Sequence, residues 1–134
     1  MYRKTYKGLL IGVLAYAVLI IALPLMLPNL DGDSATRLIM LLTALGMAAL
    51  TYAVWRTEYV YWYNGTTFEE AEKAGSERRK AFALCHFRLF GTFAAAAVLY
   101  TCAAWLLGLP WWVDMILVGG GLIVCAFWSM KYKL

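Results

Sequence analysis

Four long apolar runs alternate with short polar connections along this chain. The runs cover residues 8–28, 37–56, 88–108 and 111–130. An α-helix rises ~1.5 Å per residue, so about 20 apolar residues cross the ~30 Å hydrocarbon core of a bilayer. The last run reaches that length only with the flanking Trp111 and Trp112. The pattern therefore predicts an all-α polytopic membrane protein, with four transmembrane helices in one domain covering residues 1–134.

The positions of the basic residues predict how these helices are oriented. Eleven of the twelve Lys and Arg residues precede the first run, lie within residues 56–88, or follow the fourth run. Only Arg37, at the start of the second run, is on the other side. Positive residues in short loops resist translocation. We therefore predict two helical hairpins with both termini and residues 57–87 in the cytoplasm. The net charge of +4 is then a topology signal, and we expect no nucleic-acid partner.

The polar segment between the second and third runs has its own start and stop signals. Asn64-Gly65 is a turn signal, and Thr67 with Glu70 three residues later has the pattern of a capping box. Gly75 followed by Ser76 favours the end of one helix and the start of another. These signals predict a short amphipathic inner helix that begins after Thr67 and ends at Gly75.

Candidate chemistry in the chain is sparse. Cys85 and His86 are adjacent, so on a helix their side chains point ~100° apart and do not share the face that metal ligation uses. The three cysteines lack Cys-x-x-Cys spacing. The apolar runs hold no Lys, Arg, Glu or His at midplane depth, where proton relays usually have one, and Asp114 is expected near the outer surface. The sequence predicts no enzymatic activity, no metal and no cofactor.

Three sets of residues are candidates for contacts. Residues expected at helix-packing or subunit interfaces are small and mostly spaced four apart: Gly8, Gly12, Gly91, Ala95, Gly119, Gly120 and Gly121. Residues expected to contact a partner or lipid are charged and belong to the polar segment or its edge: Glu69, Glu70, Arg78, Arg79 and Arg88. Residues expected to line a cavity carry hydroxyl groups within the apolar runs: Thr43, Tyr52, Tyr100 and Thr101.

The polar segment also carries a family resemblance. Its order is Tyr63-Asn64-Gly65-Thr66-Thr67, then Glu69-Glu70, then Arg78-Arg79-Lys80, and finally Gly91 at the start of an apolar run. This order resembles a family of small bacterial and archaeal membrane proteins of unknown function, related to the SdpI-type immunity proteins. Trp62 stands where that pattern has Gly. The resemblance implies a small accessory or protective protein in a prokaryotic plasma membrane, without an enzymatic centre, and it supplies no binding residue.

Together these patterns favour a noncatalytic membrane protein that acts by association. Its partners would be the lipid bilayer, a second copy of itself in a homo-oligomer, a larger membrane complex, or a membrane-active peptide. The alternative is a small channel or facilitator formed by a homo-oligomer around hydroxyl and glycine faces. A membrane enzyme acting on lipids ranks third, because the side chains that could supply groups for it are few: Glu69, Glu70, Glu72, His86 and Arg78-Arg79.

Overall fold

The computed structural model describes residues 2–63 and 65–134, and within them it is all-helical with no strand. Four helices account for most of the chain: α1 Lys7–Leu25, α2 Gly32–Thr57, α3 Phe68–Leu107 and α4 Trp111–Ser129. A single 3₁₀ turn, Val60–Trp62, lies between α2 and α3. All four helices are long and apolar enough to cross a membrane. The prediction of four such helices is confirmed.

Helix α3 is longer than the third apolar run because it includes the predicted inner helix. The capping box is present: the Thr67 hydroxyl accepts from the Glu70 amide, and the Glu70 carboxylate accepts from the Thr67 amide. Gly75 interrupts the helix with φ 76° and ψ 164°, a conformation that glycine adopts without steric cost. Helical residues resume directly at Ser76. Gly75 therefore ends the inner helix and a second helix begins at Ser76, as the sequence predicted, and α3 denotes the two helices joined at this kink. Asn64 of the predicted turn lies outside the described residues.

Local capping also moves the other helix ends from their predicted positions. The Asp31 carboxylate accepts from the Ser34 amide at 2.8 Å, so α2 begins at Gly32, five residues before the apolar run. Glu58 ends α2 with its backbone in the left-handed region, at φ 62°. Residues other than glycine adopt this conformation uncommonly. Helix α1 ends at Leu25, three residues earlier than its apolar run.

Two buried clusters hold the helices together. Ala44 of α2, Ala97 of α3 and Val118 of α4 pack in the first cluster. The second lies at the other end of α2 and is rich in aromatic side chains. Its buried members are Val54, Val60, Tyr61, Ala71, Phe82 and Ala83. Tyr2 and Tyr132 also pack on this second cluster. Both terminal segments thus lie at one end of the bundle, which we call the aromatic end.

Helix α1 is attached to the rest of the bundle at few points and contributes no buried residue. The Tyr16 ring lies against Gly46 of α2 so closely that a side chain at Gly46 would displace it. Near the start of α1, an added Cβ at Gly8 would come within 3.2 Å of the Trp62 ring. Gly12, four residues further on, faces open space.

The three consecutive glycines of α4 differ in what they contact. An added Cβ at Gly121 would overlap the Phe93 ring of α3, one at Gly119 would lie 3.7 Å from the sulfur of Met40, and one at Gly120 would meet nothing within 4 Å. Only Gly121 is therefore required for close packing between α3 and α4. Elsewhere among the small residues, Gly91 faces the Phe87 ring and Ala95 is exposed.

We expect Gly121→Leu to lower the free energy of unfolding by about 1–3 kcal/mol, because the new side chain must push Phe93 out of a packed interface. Gly120→Leu is the matched control, since it adds the same side chain one position away and into open space. Unfolding of each variant in mixed micelles, followed by circular dichroism, measures the difference. Equal stability of the two variants would contradict this account of the interface.

Candidate functional site

A cleft of about 1040 Å³ lies between α2, α3 and α4. It begins at the aromatic end, where Lys133 and Arg78 line it, and it extends along α2 as far as Met47. Met47 lies about 15 Å from the end of α2 at Thr57, at ~1.5 Å per residue. That depth equals half of the ~30 Å hydrocarbon thickness of a bilayer. The cleft is thus as deep as one leaflet.

The inner part of the cleft is apolar. Its walls are formed by Met47 and Leu50 of α2, Phe90 of α3, and Ile123 and Phe127 of α4. Phe90 is buried, whereas Ile123 and Phe127 keep 60% and 69% of their surface exposed. The α4 side is therefore accessible from the surroundings of the bundle. This part is an open groove and not a closed cavity.

The mouth of the cleft carries an excess of positive charge. Lys73, Arg78 and Lys133 line it, and among the described lining residues the only carboxylate side chain is that of Glu70. Glu70 is already used in the capping box with Thr67. None of the three cations forms an ion pair within residues 2–63 and 65–134. Three cationic side chains thus surround the mouth with one anionic side chain among them.

A buried histidine, His86, and a half-buried tyrosine, Tyr63, stand beside the mouth. The rings of His86 and Tyr63 stack at 4.5 Å, and His86 Nδ1 lies 3.0 Å from the Phe82 carbonyl oxygen. Because a carbonyl only accepts, Nδ1 carries the proton that makes this bond. The Tyr63 hydroxyl is buried and has no hydrogen-bond partner within the described part of the chain. Burial raises the pKa of Tyr63, so its hydroxyl stays protonated.

A polar cluster around Glu58 fixes the segment that forms the mouth. The Glu58 carboxylate accepts from Ser76 at 2.8 Å and from Arg79 at 2.9 and 3.1 Å, and it pairs with Lys80 at 3.4 Å. Arg79 also donates to the Ala71 carbonyl. These bonds connect the end of α2 to α3 on both sides of the Gly75 break. They hold the first two turns of α3 next to the cleft.

The N-terminal segment closes over this Glu58 cluster. The Arg79 guanidinium lies 4.1 Å from the centre of the Tyr2 ring, and the Tyr2 hydroxyl donates to the Glu58 carbonyl at 2.7 Å. Burial, only partly opposed by Arg79, raises the pKa of Tyr2 to about 12. Burial also raises the pKa of Glu58, but hydrogen bonds from Ser76, Arg79 and Lys80 outweigh it and the pKa falls below its ordinary value. Glu58 is therefore ionised at neutral pH.

A buried ion pair lies at the opposite end of the bundle. Arg37 of α2 donates from Nε and Nη2 to the Asp114 carboxylate at 3.1–3.2 Å, and from Nη2 to the Leu109 carbonyl. Arg37 and Asp114 are only 3% and 0% exposed. The pair joins the start of α2 to the start of α4. A five-residue π-helical stretch, Met115–Gly119, follows Asp114 directly.

The predicted contact residues are distributed over different surroundings. Glu70 and Arg78 line the mouth of the cleft, Glu69 and Arg88 are exposed outside it, and Arg79 is buried against Glu58. No local pattern predicted one opening shared by Lys73, Lys133, His86 and Tyr63, because these residues come from three separate segments.

The four residues predicted to line a cavity do not line the cleft. Thr43 donates to the Ile39 carbonyl of its own helix, and Tyr52 packs against Trp55 and Phe87. The hydroxyls of Tyr100 and Thr101 are buried without a hydrogen-bond partner among the described residues. Thr51, next to Tyr52, does line the cleft, but its hydroxyl donates to backbone carbonyls of α2.

Within residues 2–63 and 65–134, no three His, Cys, Asp or Glu side chains are grouped closely enough to hold a metal ion. Comparison of the chain with family models, curated proteins and solved structures finds no match. The resemblance to relatives of the SdpI-type immunity proteins therefore stays a prediction. The geometry of the cleft and the charges around it carry the functional argument.

Proposed function

We propose that this chain is a noncatalytic membrane protein that acts by binding an amphiphilic partner in the cleft. One observation carries the proposal: a groove with apolar walls, as deep as one leaflet, begins at a mouth with an excess of positive charge. Ligand sites of this kind combine apolar walls with a few polar groups that orient the ligand. An amphiphile matches both parts, with its chain along the groove and its polar end at the mouth.

The proposal includes a membrane topology. Both termini face the cytoplasm, the four helices form two hairpins, and the cleft opens toward the cytoplasmic leaflet of a prokaryotic plasma membrane. Eleven basic residues against one support this orientation. The packing of both Tyr2 and Tyr132 on the aromatic end agrees with it.

Association with further protein copies or with a larger membrane complex belongs to the same proposal. Helix α1 is the helix with the most surface available for it, since it contributes no buried residue. In this function the protein works as an accessory component that holds a membrane constituent or partner, and no bond is made or broken.

Filling the groove tests the proposed function. Ala126 lines the cleft and Val124 does not, although both are exposed on α4. We expect Ala126→Trp to weaken phospholipid retention by the purified full chain at least tenfold, because the indole occupies the space of a ligand chain. Native mass spectrometry in mild detergent, with phosphatidylcholine and phosphatidylglycerol added separately, measures retention.

Val124→Trp is the control for a bulky aromatic residue on the same helix. It should retain both lipids as the unaltered protein does. The proposed function would be overturned if Ala126→Trp and Val124→Trp retained equal amounts of both lipids.

A further inference from the structure

We infer that the ligand of the cleft is an anionic phospholipid, whose phosphate lies at the mouth among Lys73, Arg78 and Lys133. One of its acyl chains lies along the apolar wall formed by Phe90 and Phe127. The inference rests on the proposed function, because it names the class of amphiphile that this cleft binds.

The charge at the mouth selects an anionic head group. Lys73, Arg78 and Lys133 all line the opening and none is neutralised by an ion pair within residues 2–63 and 65–134. Glu70 is occupied by the Thr67 cap. Basic pockets between transmembrane helices bind anionic head groups for this reason. A guanidinium also donates two parallel hydrogen bonds to a phosphate, which adds geometric selectivity.

The depth and the side opening of the cleft favour a lipid. The groove extends along α2 to about 15 Å from the helix end at Thr57, a length equal to the thickness of one leaflet. Its volume of about 1040 Å³ lies at the upper end of the ~300–1,000 Å³ that ligand pockets usually have. The exposed faces of Ile123 and Phe127 leave it accessible from the side, so a lipid enters by lateral movement without leaving the bilayer.

A membrane-active peptide fits the mouth less well. Such peptides are amphipathic helices with Lys and Arg on their polar face. A cationic face brought to Lys73, Arg78 and Lys133 meets charge of the same sign, and Glu70 supplies the one anionic side chain among the described lining residues. Binding of a cationic amphipathic peptide in preference to phosphatidylglycerol is therefore an outcome that would overturn the inference.

The test uses paired charge variants of the full chain. Arg78→Gln with Lys133→Gln removes two cations of the mouth. Arg56→Gln with Lys131→Gln removes two exposed cations that do not line the cleft. Native mass spectrometry and a competition assay in mild detergent compare phosphatidylglycerol with phosphatidylcholine of identical acyl chains. Inorganic phosphate and a cationic amphipathic peptide are further competitors.

We expect the unaltered protein to prefer phosphatidylglycerol. The Arg78→Gln, Lys133→Gln variant should lose about 30-fold in phosphatidylglycerol affinity. It removes two basic residues, and each typically contributes roughly fivefold at an anionic membrane surface. Its affinity for phosphatidylcholine should be unchanged. The Arg56→Gln, Lys131→Gln variant should bind both lipids as the unaltered protein does.

Equal affinity for the two lipids, or equal losses in the two double variants, would refute the head-group assignment. If Ala126→Trp still abolished lipid retention in that case, the proposed amphiphile binding would stand and only the anionic selectivity would fail. Saturable displacement of the lipid by inorganic phosphate alone would show a phosphate site without a role for the acyl chain, and this too would refute the assignment.

Discussion

Asp114→Asn is expected to lower the free energy of unfolding by about 3–5 kcal/mol, the typical cost of breaking a buried ion pair from one side. Asparagine keeps the size of the side chain but removes the charge that neutralises Arg37. The Arg37 guanidinium is only 3% exposed and has the Asp114 carboxylate and the Leu109 carbonyl as its partners. After the substitution a charged group stays buried with a carbonyl and an amide as neighbours. Reversible unfolding in bicelles or mixed micelles measures the loss.

Two comparisons separate this effect from a general loss of charge. Asp33→Asn makes the same chemical change at an exposed position near the same end of the bundle, and it should alter stability by less than about 0.5 kcal/mol. The double variant Arg37→Met, Asp114→Leu replaces the pair with apolar side chains and should regain much of the lost stability. Equal stability of Asp114→Asn and Asp33→Asn would show that the pair does not stabilise the fold.

The ion pair also bears on the cleft, because both involve α4. Arg37 and Asp114 fix the start of α4 against α2, and Gly121 packs against Phe93 of α3 near its middle. Beyond that point Ile123 and Phe127 of α4, and Met130 directly after it, lie along the open side of the cleft. The first half of α4 packs against α2, whereas its second half packs against α3 and makes few contacts with α2. The cleft occupies the space between the second half of α4 and α2.

The four membrane-length helices were predictable because their signal is local. Each apolar run has the length that a bilayer requires, and each lies within a helix of the structure except for the last residues of the first, third and fourth runs. The capping box at Thr67 and Glu70 was equally predictable, since it depends on residues three apart. The end of the inner helix at Gly75 was predictable for the same reason, since glycine followed by serine is a local stop and start signal.

The cleft and the ion pair were not predictable, because they depend on contacts between distant segments. Arg37 and Asp114 are 77 positions apart, and each alone is an ordinary charge near a helix end. One signal was available: the two opposite charges were predicted on the same side of the membrane, and Asp114 borders an apolar run. The expectation that hydroxyl side chains within the apolar runs line a cavity did not locate the cleft, for a physical reason. Threonine in a helix bonds its own backbone, as Thr43 and Thr51 do, and then needs no water-filled space.

Glu58→Gln is expected to lower the free energy of unfolding by about 1.5–3 kcal/mol, the range for hydrogen bonds that involve a charged group. The carboxylate is the counter-ion of Arg79, which is 8% exposed. Glutamine keeps the length of the side chain and suits the backbone no better at φ 62°, so the charge is the main difference. Glu77→Gln, an exposed change on the same segment, should have little effect. Denaturation in mixed micelles at neutral pH compares the two variants.

Protonation of Glu58 in acid should lower the free energy of unfolding as Glu58→Gln does. The pKa of Glu58 in the folded protein lies below its ordinary value of 4.5, so the folded state binds this proton less readily than the unfolded state does. The stabilisation by Glu58 is then complete above pH 4.5 and is lost as the pH falls through the lowered pKa. The unaltered protein and Glu58→Gln should therefore differ in stability at neutral pH and converge in acid. A difference that persisted below the lowered pKa would assign the stabilisation to packing of the side chain instead of its charge. It would remove the electrostatic reason for the fixed position of Ser76 and Arg79 beside the cleft.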